Sequence, residues 1–208
     1  MKSLLLTSVF VCLIASTPAT AQLDPGPDGL GLYADPGGMV NSMIAAPGIH
    51  EVYLLATNIT APEVKVWSVH VSFRGDVWIT DIKTDYPFDY GSGGPDVRTM
   101  EYIVTAYPDL PYYETHLMAE PVLHLATLEI WLNDTGPVDV HLGIVSTILN
   151  DDPPSHAYYT VPGDASSTVI TEFNPSSGDW NLPVMRINGE APVPAVAQSW
   201  SDIKAVYR

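Results

Sequence analysis

Residues 121–148 constrain the fold more than any other part of the chain. Two runs of alternating apolar residues flank residues 133–137, which read NDTGP and favour a turn. The pattern predicts two strands joined as a central β-hairpin, with one continuous apolar face because side chains alternate along a strand. The residues on that face are Val122, His124, Ala126, Leu128, Ile130, Leu132, Val138, Val140, Leu142 and Ile144.

The register of this hairpin follows from which side chains suit water. Placing Leu132 opposite Val138 and Ile130 opposite Val140 leaves Glu129 and His141 on the solvent face. A shift of one residue would exchange the two faces, so the apolar pattern disfavours it. A hairpin with one apolar face is not stable alone, and a second sheet must cover it.

The rest of the chain supplies further strands and no convincing amphipathic helix. Residues 64–74 give the clearest alternation, and Val64 and Val66 are out of phase with Trp67, which predicts a bulge or bend. Residues 30–33 predict a short strand at a sheet edge, and further strands are predicted at residues 49–58, 77–84, 98–107, 157–161, 169–173 and 184–187. Eight to ten strands predict an all-β, two-sheet antiparallel β-sandwich, jelly-roll or immunoglobulin-like, with a closed barrel as the alternative.

The N-terminus has the pattern of a secretory signal peptide. Lys2 precedes an apolar run at residues 4–15, and Ala19-Thr20-Ala21 is an A-x-A cleavage pattern. We therefore expect residues 1–21 to be removed and the protein to be secreted or otherwise extracytoplasmic. Residues 22–190 are predicted to form one β-sandwich domain, and residues 191–208 an extended tail with a possible short helical turn.

Charge and composition exclude several classes of partner. The formal net charge is −16, which makes nucleic acid and anionic membrane surfaces poor partners. No segment after the signal peptide is predicted to span a membrane. The one cysteine, Cys12, lies in the signal peptide, so neither a disulfide nor a cysteine nucleophile is predicted in the mature chain.

A calcium loop is the only metal site that the sequence suggests, and no other cofactor is predicted. Asp24, Asp28 and Asp35 fall at positions 1, 5 and 12 of a calcium-loop template. Two expected oxygen ligands are absent, because Gly26 and Leu32 occupy positions 3 and 9. The alternative is an N-terminal arm that leads into the first strand.

Aromatic residues in two predicted loops are the main candidates for a binding site. Tyr86, Phe88 and Tyr90 alternate in the loop at residues 85–96, and Tyr112 and Tyr113 lie in the loop at residues 108–120. Exposed rings beside acids could stack on sugars or anchor a protein partner. The alternative is that they cap the ends of the sandwich and bury their rings.

Catalytic motifs are absent from the sequence, including G-x-S-x-G and H-E-x-x-H. We therefore expect an exported, non-catalytic binding or structural module rather than an enzyme. One alternative is a carbohydrate-binding module that uses the loop aromatics. Another is an extracytoplasmic hydrolase that uses loop carboxylates, which are Asp85, Asp89, Asp96, Asp151 and Asp152.

The strand layout resembles the cohesin-like and carbohydrate-binding-module sandwiches of exported bacterial proteins. The layout consists of residues 52–58, 64–73, 77–82 and 123–132. A late strand in those proteins reads roughly L-x-T-L-x-F, and residues 125–130 here read LATLEI, with Ile130 in place of Phe. The resemblance covers residues 45–150 and implies a jelly-roll-like sandwich that binds a ligand rather than catalyses. The chain contains no dockerin-type segment.

Overall fold

The computed structural model describes residues 26–64, 66–84, 89–92, 99–105, 117–118, 120–145, 156–161 and 169–190. These residues form fifteen strands and no helix. The strands are, in chain order, β1 (Gly29–Tyr33), β2 (Ser42–Met43), β3 (Gly48–Thr57), β4 (Glu63–Val64), β5 (Val66–Arg74), β6 (Val77–Lys83), β7 (Asp89–Ser92), β8 (Thr99–Thr105), β9 (Leu117–Met118), β10 (Val122–Leu132), β11 (Val138–Gly143), β12 (Tyr158–Val161), β13 (Val169–Glu172), β14 (Asn174–Pro175) and β15 (Met185–Ile187).

Two sheets pack face to face, as the sequence predicts. The smaller sheet has the order β14-β1-β3-β10-β6, and the larger has the order β13-β12-β5-β11-β15-β2, with β8 also on β5 and β7 on β8. The pairings β1–β14 and β15–β2 are parallel, and the other pairings in these sheets are antiparallel. Strands β4 and β9 form a separate two-stranded sheet. The strand count is higher than eight to ten partly because four strands have only two residues.

Strand β5 is the centre of the larger sheet. Strand β8 pairs with residues 66–72 along one edge. The opposite edge is shared, because β12 pairs with residues 66–68 and β11 with residues 70–74. The predicted alternation in β5 is confirmed, since Trp67, Val69, Val71 and Phe73 are all buried. The chain also changes sheets at the predicted irregularity, where β4 ends at Val64 and β5 begins at Val66.

The predicted hairpin is wrong, because its two arms lie in different sheets. Strand β10 pairs with β3 and β6, whereas β11 pairs with β5 and β15. Each arm already has a partner on both edges, so neither edge is left for the other arm. Residues 133–137 instead carry the chain from the smaller sheet to the larger one.

The two arms nevertheless face each other across the core. The inward side chains of β10 and β11 belong to one buried cluster, which includes Leu128, Ile130, Leu132, Val138 and Val140. Fully burying side chains of this kind stabilises a fold by about 1.5–3 kcal/mol each. The alternation therefore identified the inward residues correctly, although it assigned them to one sheet instead of two.

Several predicted orientations near the ends of the arms are wrong. The register between β10 and β3 shifts between His124 and Ala126, so Leu125 is an extra residue that is buried beside Ala126. Val122 and His124 are consequently only half-buried. At the far end of the second arm Ile144 is exposed. His141 is buried rather than solvent-facing.

Two connections between the sheets lie side by side at one end of the sandwich. Residues 75–76 join β5 to β6, and residues 133–137 join β10 to β11. The backbone N–H of Asn133 donates to the carbonyl of Asp76 at 3.1 Å. Gly75 has a φ of 151°, and a Cβ there would lie 2.7 Å from Cγ2 of Val138. The crossing therefore requires glycine at this position.

The other predicted strands are confirmed, and the predictions for the two termini are not tested. Strands are found in all the predicted ranges, and the segment at 85–96, predicted as a loop, contains β7, which pairs with β8. Strand β1 lies next to the edge, which the two-residue β14 covers. The part of the chain that the structure describes contains no helix that could span a membrane. The predicted signal peptide and C-terminal tail lie outside that part.

Candidate functional site

Three large apolar side chains are exposed side by side on the outer face of the smaller sheet. Trp131 in β10 lies opposite Ile49 in β3 and opposite Trp78 in β6. Their exposed fractions are 57% for Ile49, 43% for Trp131 and 41% for Trp78. Cβ atoms of residues paired in this way lie about 4.5–5.5 Å apart. We call these three residues the apolar row.

The local sequence explains why these side chains point outward. In β10, Ile130 and Leu132 face the core, so Trp131 between them must face solvent. In β6, the buried residues Val77 and Ile79 flank Trp78 in the same way. The three strands are adjacent and in register at this point, so the row crosses three strands of one sheet.

Hydrogen bonds hold the central indole of the row in one orientation. Nε1–H of Trp131 donates to Oδ1 of Asn133 at 2.9 Å. The side-chain amide of Asn133 donates in turn to Oδ1 of Asp76 at 2.9 Å. A side chain that is already ordered loses less conformational entropy on binding. Trp131 is therefore suited to act as a preformed anchor.

The residues that lie next to the apolar row on the same face of the sheet are polar. Nζ of Lys83 lies 2.9 Å from Oε1 of Glu51 and 3.5 Å from Oε2 of Glu129. The hydroxyl of Thr80 donates to Oε1 of Glu129 at 2.8 Å. The hydrogen bond from Lys83 and, to a smaller extent, the positive charge of Lys83 lower the pKa of Glu51. The same hydrogen bond raises the pKa of Lys83. Exposed ion pairs contribute little to the stability of a fold. The main effect of Glu51, Glu129 and Lys83 is therefore to give the apolar row a polar border.

The edge of the sheet beside the row is protected against the addition of another strand. In the described part of the chain β6 pairs only with β10. Thr80 has no partner residue in β10, which makes a bulge, and Oδ1 of Asp81 accepts the backbone N–H of Ile82 at 2.9 Å. Bulges and charged residues are common devices that discourage edge pairing. The face of the sheet, rather than its edge, is therefore the accessible surface.

The aromatic residues that the sequence singled out lie mostly elsewhere. Tyr86, Phe88, Tyr112 and Tyr113 are outside the described residues, and Tyr90 lies in β7, where it pairs with Ile103. A binding role for these five residues stays a prediction. The sequence did contain a signal for the apolar row, because Trp131 falls on the predicted solvent face and Trp78 is out of phase with its apolar neighbours.

The aspartates proposed for calcium make protein contacts. Asp28 accepts hydrogen bonds from the backbone and hydroxyl of Thr60 and from the hydroxyl of Tyr159. The carboxylate of Asp35 accepts backbone N–H groups from residues 37, 39 and 40. Asp24 lies outside the described residues, and within those residues no group of three acids, histidines or cysteines could hold a metal. The calcium site stays a prediction.

Of the carboxylates proposed for hydrolysis, the structure describes Asp89 alone. Asp89 belongs to β7, and its partner residue in β8 is Val104. The remaining four residues, Asp85, Asp96, Asp151 and Asp152, lie outside the described ranges. The hydrolase alternative therefore stays a prediction.

Comparison with known proteins identifies the fold. No protein-family model and no curated protein matches the chain. A solved structure of the seventh ScaB type I cohesin from Pseudobacteroides cellulosolvens is similar, with a TM-score of 0.51 and 9% identity, covering 83% of this chain and 98% of the cohesin.

Cohesins from other organisms are also similar, at lower scores. The sixth cohesin of scaffoldin B from Acetivibrio cellulolyticus, in complex with a dockerin, has a TM-score of 0.46 and 10% identity, covering 79% of this chain and 100% of the cohesin. The third ScaB cohesin of R. flavefaciens, also in complex with a dockerin, has a TM-score of 0.45 and 12% identity, covering 81% and 99%. The chain has a cohesin-like β-sandwich fold.

Proposed function

We propose that the protein is an exported, non-catalytic module that binds another protein through the apolar row. The observation that carries the proposal is the alignment of Ile49, Trp131 and Trp78 on one exposed rung. Single exposed apolar residues are common on protein surfaces, but contiguous ones mark interaction sites. Export is supported by the signal-peptide pattern of residues 1–21.

The composition of the row supports a protein as the partner. Tryptophan is enriched among the residues that contribute most to protein–protein affinity, and such residues lie inside a polar rim. Glu51, Glu129 and Lys83 supply this rim on one side. Asp76 with Asn133 supplies it on the other. The resemblance to cohesins, which implies binding rather than catalysis, agrees with this assignment.

Site-specific crosslinking tests the proposal. Trp78 is replaced by the photo-crosslinking residue p-benzoylphenylalanine, and the protein is irradiated with the secreted and envelope fractions of its source organism. We expect one discrete protein adduct, which disappears when Trp131→Ser is added. The control places p-benzoylphenylalanine at Ile144 instead, which is more exposed than Trp78 but lies outside the row. The same adduct from position 144, or no adduct from position 78, would contradict the proposal.

A glycan is the second candidate partner, because two exposed indoles stand on adjacent strands. Indole faces stack well on sugar rings, whereas Ile49 has no such face. Binding to insoluble polysaccharides should therefore depend on Trp78 and Trp131 and be indifferent to Ile49→Ala. Protein binding should depend on all three residues, so Ile49→Ala distinguishes the two candidates.

A further inference from the structure

We infer that the partner presents a cationic surface to the apolar row, with apolar side chains flanked by lysine or arginine. This inference rests on the proposed function and adds the chemistry of the partner to it. Two observations carry it, which are the distribution of carboxylates around the row and the charge of the whole chain.

Carboxylates border the apolar row on both sides. Glu51, Glu129 and Asp81 lie beyond one side, and Asp76 lies beyond the other. Lys83 is the one cation among these border residues, and it contacts Glu51 and Glu129. Residues two positions apart along a strand are separated by about 6.6 Å. If one residue of the partner contacts the apolar row, a lysine or arginine next to it in the partner can therefore reach this border.

Glu51 and Glu129 retain capacity to accept further hydrogen bonds. A carboxylate offers about four acceptor positions. Lys83 contacts one oxygen of Glu51 and one of Glu129, and the hydroxyl of Thr80 donates to the other oxygen of Glu129. The pKa of Glu51 is lowered by Lys83, so Glu51 remains ionised at neutral pH. An arginine from a partner could bind such a carboxylate with two parallel hydrogen bonds.

The charge of the chain disfavours other occupants of this face. With a formal net charge of −16, a second copy of the chain would place acids against acids, which opposes association. The same charge accelerates encounter with a cationic partner and repels an anionic membrane. A basic and apolar segment of another protein therefore fits the surface better than self-association does.

Synthetic peptides test the inference without knowledge of the natural partner. Three fluorescein-labelled peptides of equal length alternate leucine with lysine, with serine or with glutamate, and fluorescence anisotropy measures their affinity for the full chain. We expect the lysine peptide to bind about tenfold more tightly than the serine peptide at low salt, because of charge complementarity. Raising the ionic strength should reduce this difference, because salt screens exposed charges.

Variants with neutral side chains distinguish the effect of the border carboxylates on binding from the effect of the net charge of the chain. The double variant Glu51→Gln, Asp81→Asn removes two border charges, and the asparagine oxygen can still accept the N–H of Ile82. The control, Glu120→Gln, Glu172→Gln, removes two exposed charges elsewhere. We expect the border variant to weaken binding of the lysine peptide about fivefold, since each exposed pair contributes little. The control should leave the affinity nearly unchanged.

The results distinguish a failure of the proposed function from a failure of the inference that the partner is cationic. If Trp131→Ala leaves the binding of every peptide unchanged, the apolar row is not the docking surface and the proposed function fails. If binding depends on Trp131 but the lysine and serine peptides bind equally, only the cationic partner is contradicted. Equal effects of the border variant and its control would also overturn the cationic partner, because the attraction would then come from net charge alone.

Discussion

The hydroxyl of Tyr159 donates a 2.7 Å hydrogen bond to Oδ1 of Asp28. Tyr159 belongs to β12 of the larger sheet, and Asp28 directly precedes β1 of the smaller one. Thr60 donates to the same carboxylate through its backbone N–H and its hydroxyl. Burial, with a further contribution from the hydrogen bond to Asp28, raises the pKa of Tyr159, so the phenol stays protonated as a donor. This contact ties the two sheets together near the N-terminal strand.

Tyr159→Phe should lower the free energy of unfolding by about 1.5–3 kcal/mol, the usual contribution of a hydrogen bond to a charged group. The substitution leaves Thr60 as the donor to Asp28. Urea denaturation measures the change. The control is Thr60→Ser, which retains a hydroxyl donor and should lower stability less. A Tyr159→Phe variant as stable as the wild type would show that the carboxylate is satisfied without the phenol.

Gly75→Ala should destabilise the fold by about 1–3 kcal/mol, as expected for overpacking. The new methyl group would collide with Val138 and with the carbonyl of Pro137. Gly48→Ala is a matched control, because Gly48 also has a positive φ, of 136°, but a Cβ there meets nothing within 4 Å. Thermal denaturation of the two variants separates collision from backbone strain. Equal losses would assign the whole effect to strain.

Leu128→Ala should destabilise the fold by about 2–5 kcal/mol, because it leaves a cavity between the sheets. Leu128 is fully buried in the cluster that joins them. Ile144→Ala is the control, since Ile144 is 56% exposed and its truncation should change stability by less than about 0.5 kcal/mol. Chemical denaturation compares the two. A small loss at Leu128 would contradict the packing of β10 against the larger sheet.

His141 should make stability depend on pH in the mildly acidic range. Burial, and then the positive charges of Arg74 and Arg186, lower the pKa of His141, although Asp139 opposes this. The unfolded chain therefore binds a proton at a higher pH than the folded chain does, and stability falls as the pH drops below about 6.5. His141→Gln should flatten this dependence in urea titrations at pH 7.5 and 5.5. An unchanged slope would assign the acid sensitivity to other groups.

The sequence specified which side chains face the core more clearly than which strands pair. Alternation placed Val69 and Val71 of β5, and Ile130 and Leu132 of β10, correctly inward. Alternation says nothing about sheet membership, because an inward residue faces the same core from either layer. The connection at residues 133–137 therefore fitted a hairpin and a crossing equally well, and competition from β3, β6, β5 and β15 decided between them.

The apolar row shows a second limit of pattern analysis. Trp131 could be assigned to the outer face from its neighbours in sequence. Its pairing with Trp78 depends on the register between β10 and β6, which shifts at Thr80. Such a bulge is an extra residue in one strand, and the alternation of apolar residues does not predict where it occurs. The exposed residues were thus visible in the sequence, but their alignment into one surface was not.

The paired crossings at residues 75–76 and 133–137 have a consequence for how the chain reaches its native state. Strands that are consecutive along the chain there belong to opposite layers, and their bonding partners are distant in sequence. Local hairpins alone cannot build either sheet, because β10 pairs with β3 and β6, and β11 pairs with β5 and β15. A topology dominated by such long-range pairing has a high contact order, and we expect slow refolding, on the scale of milliseconds to seconds.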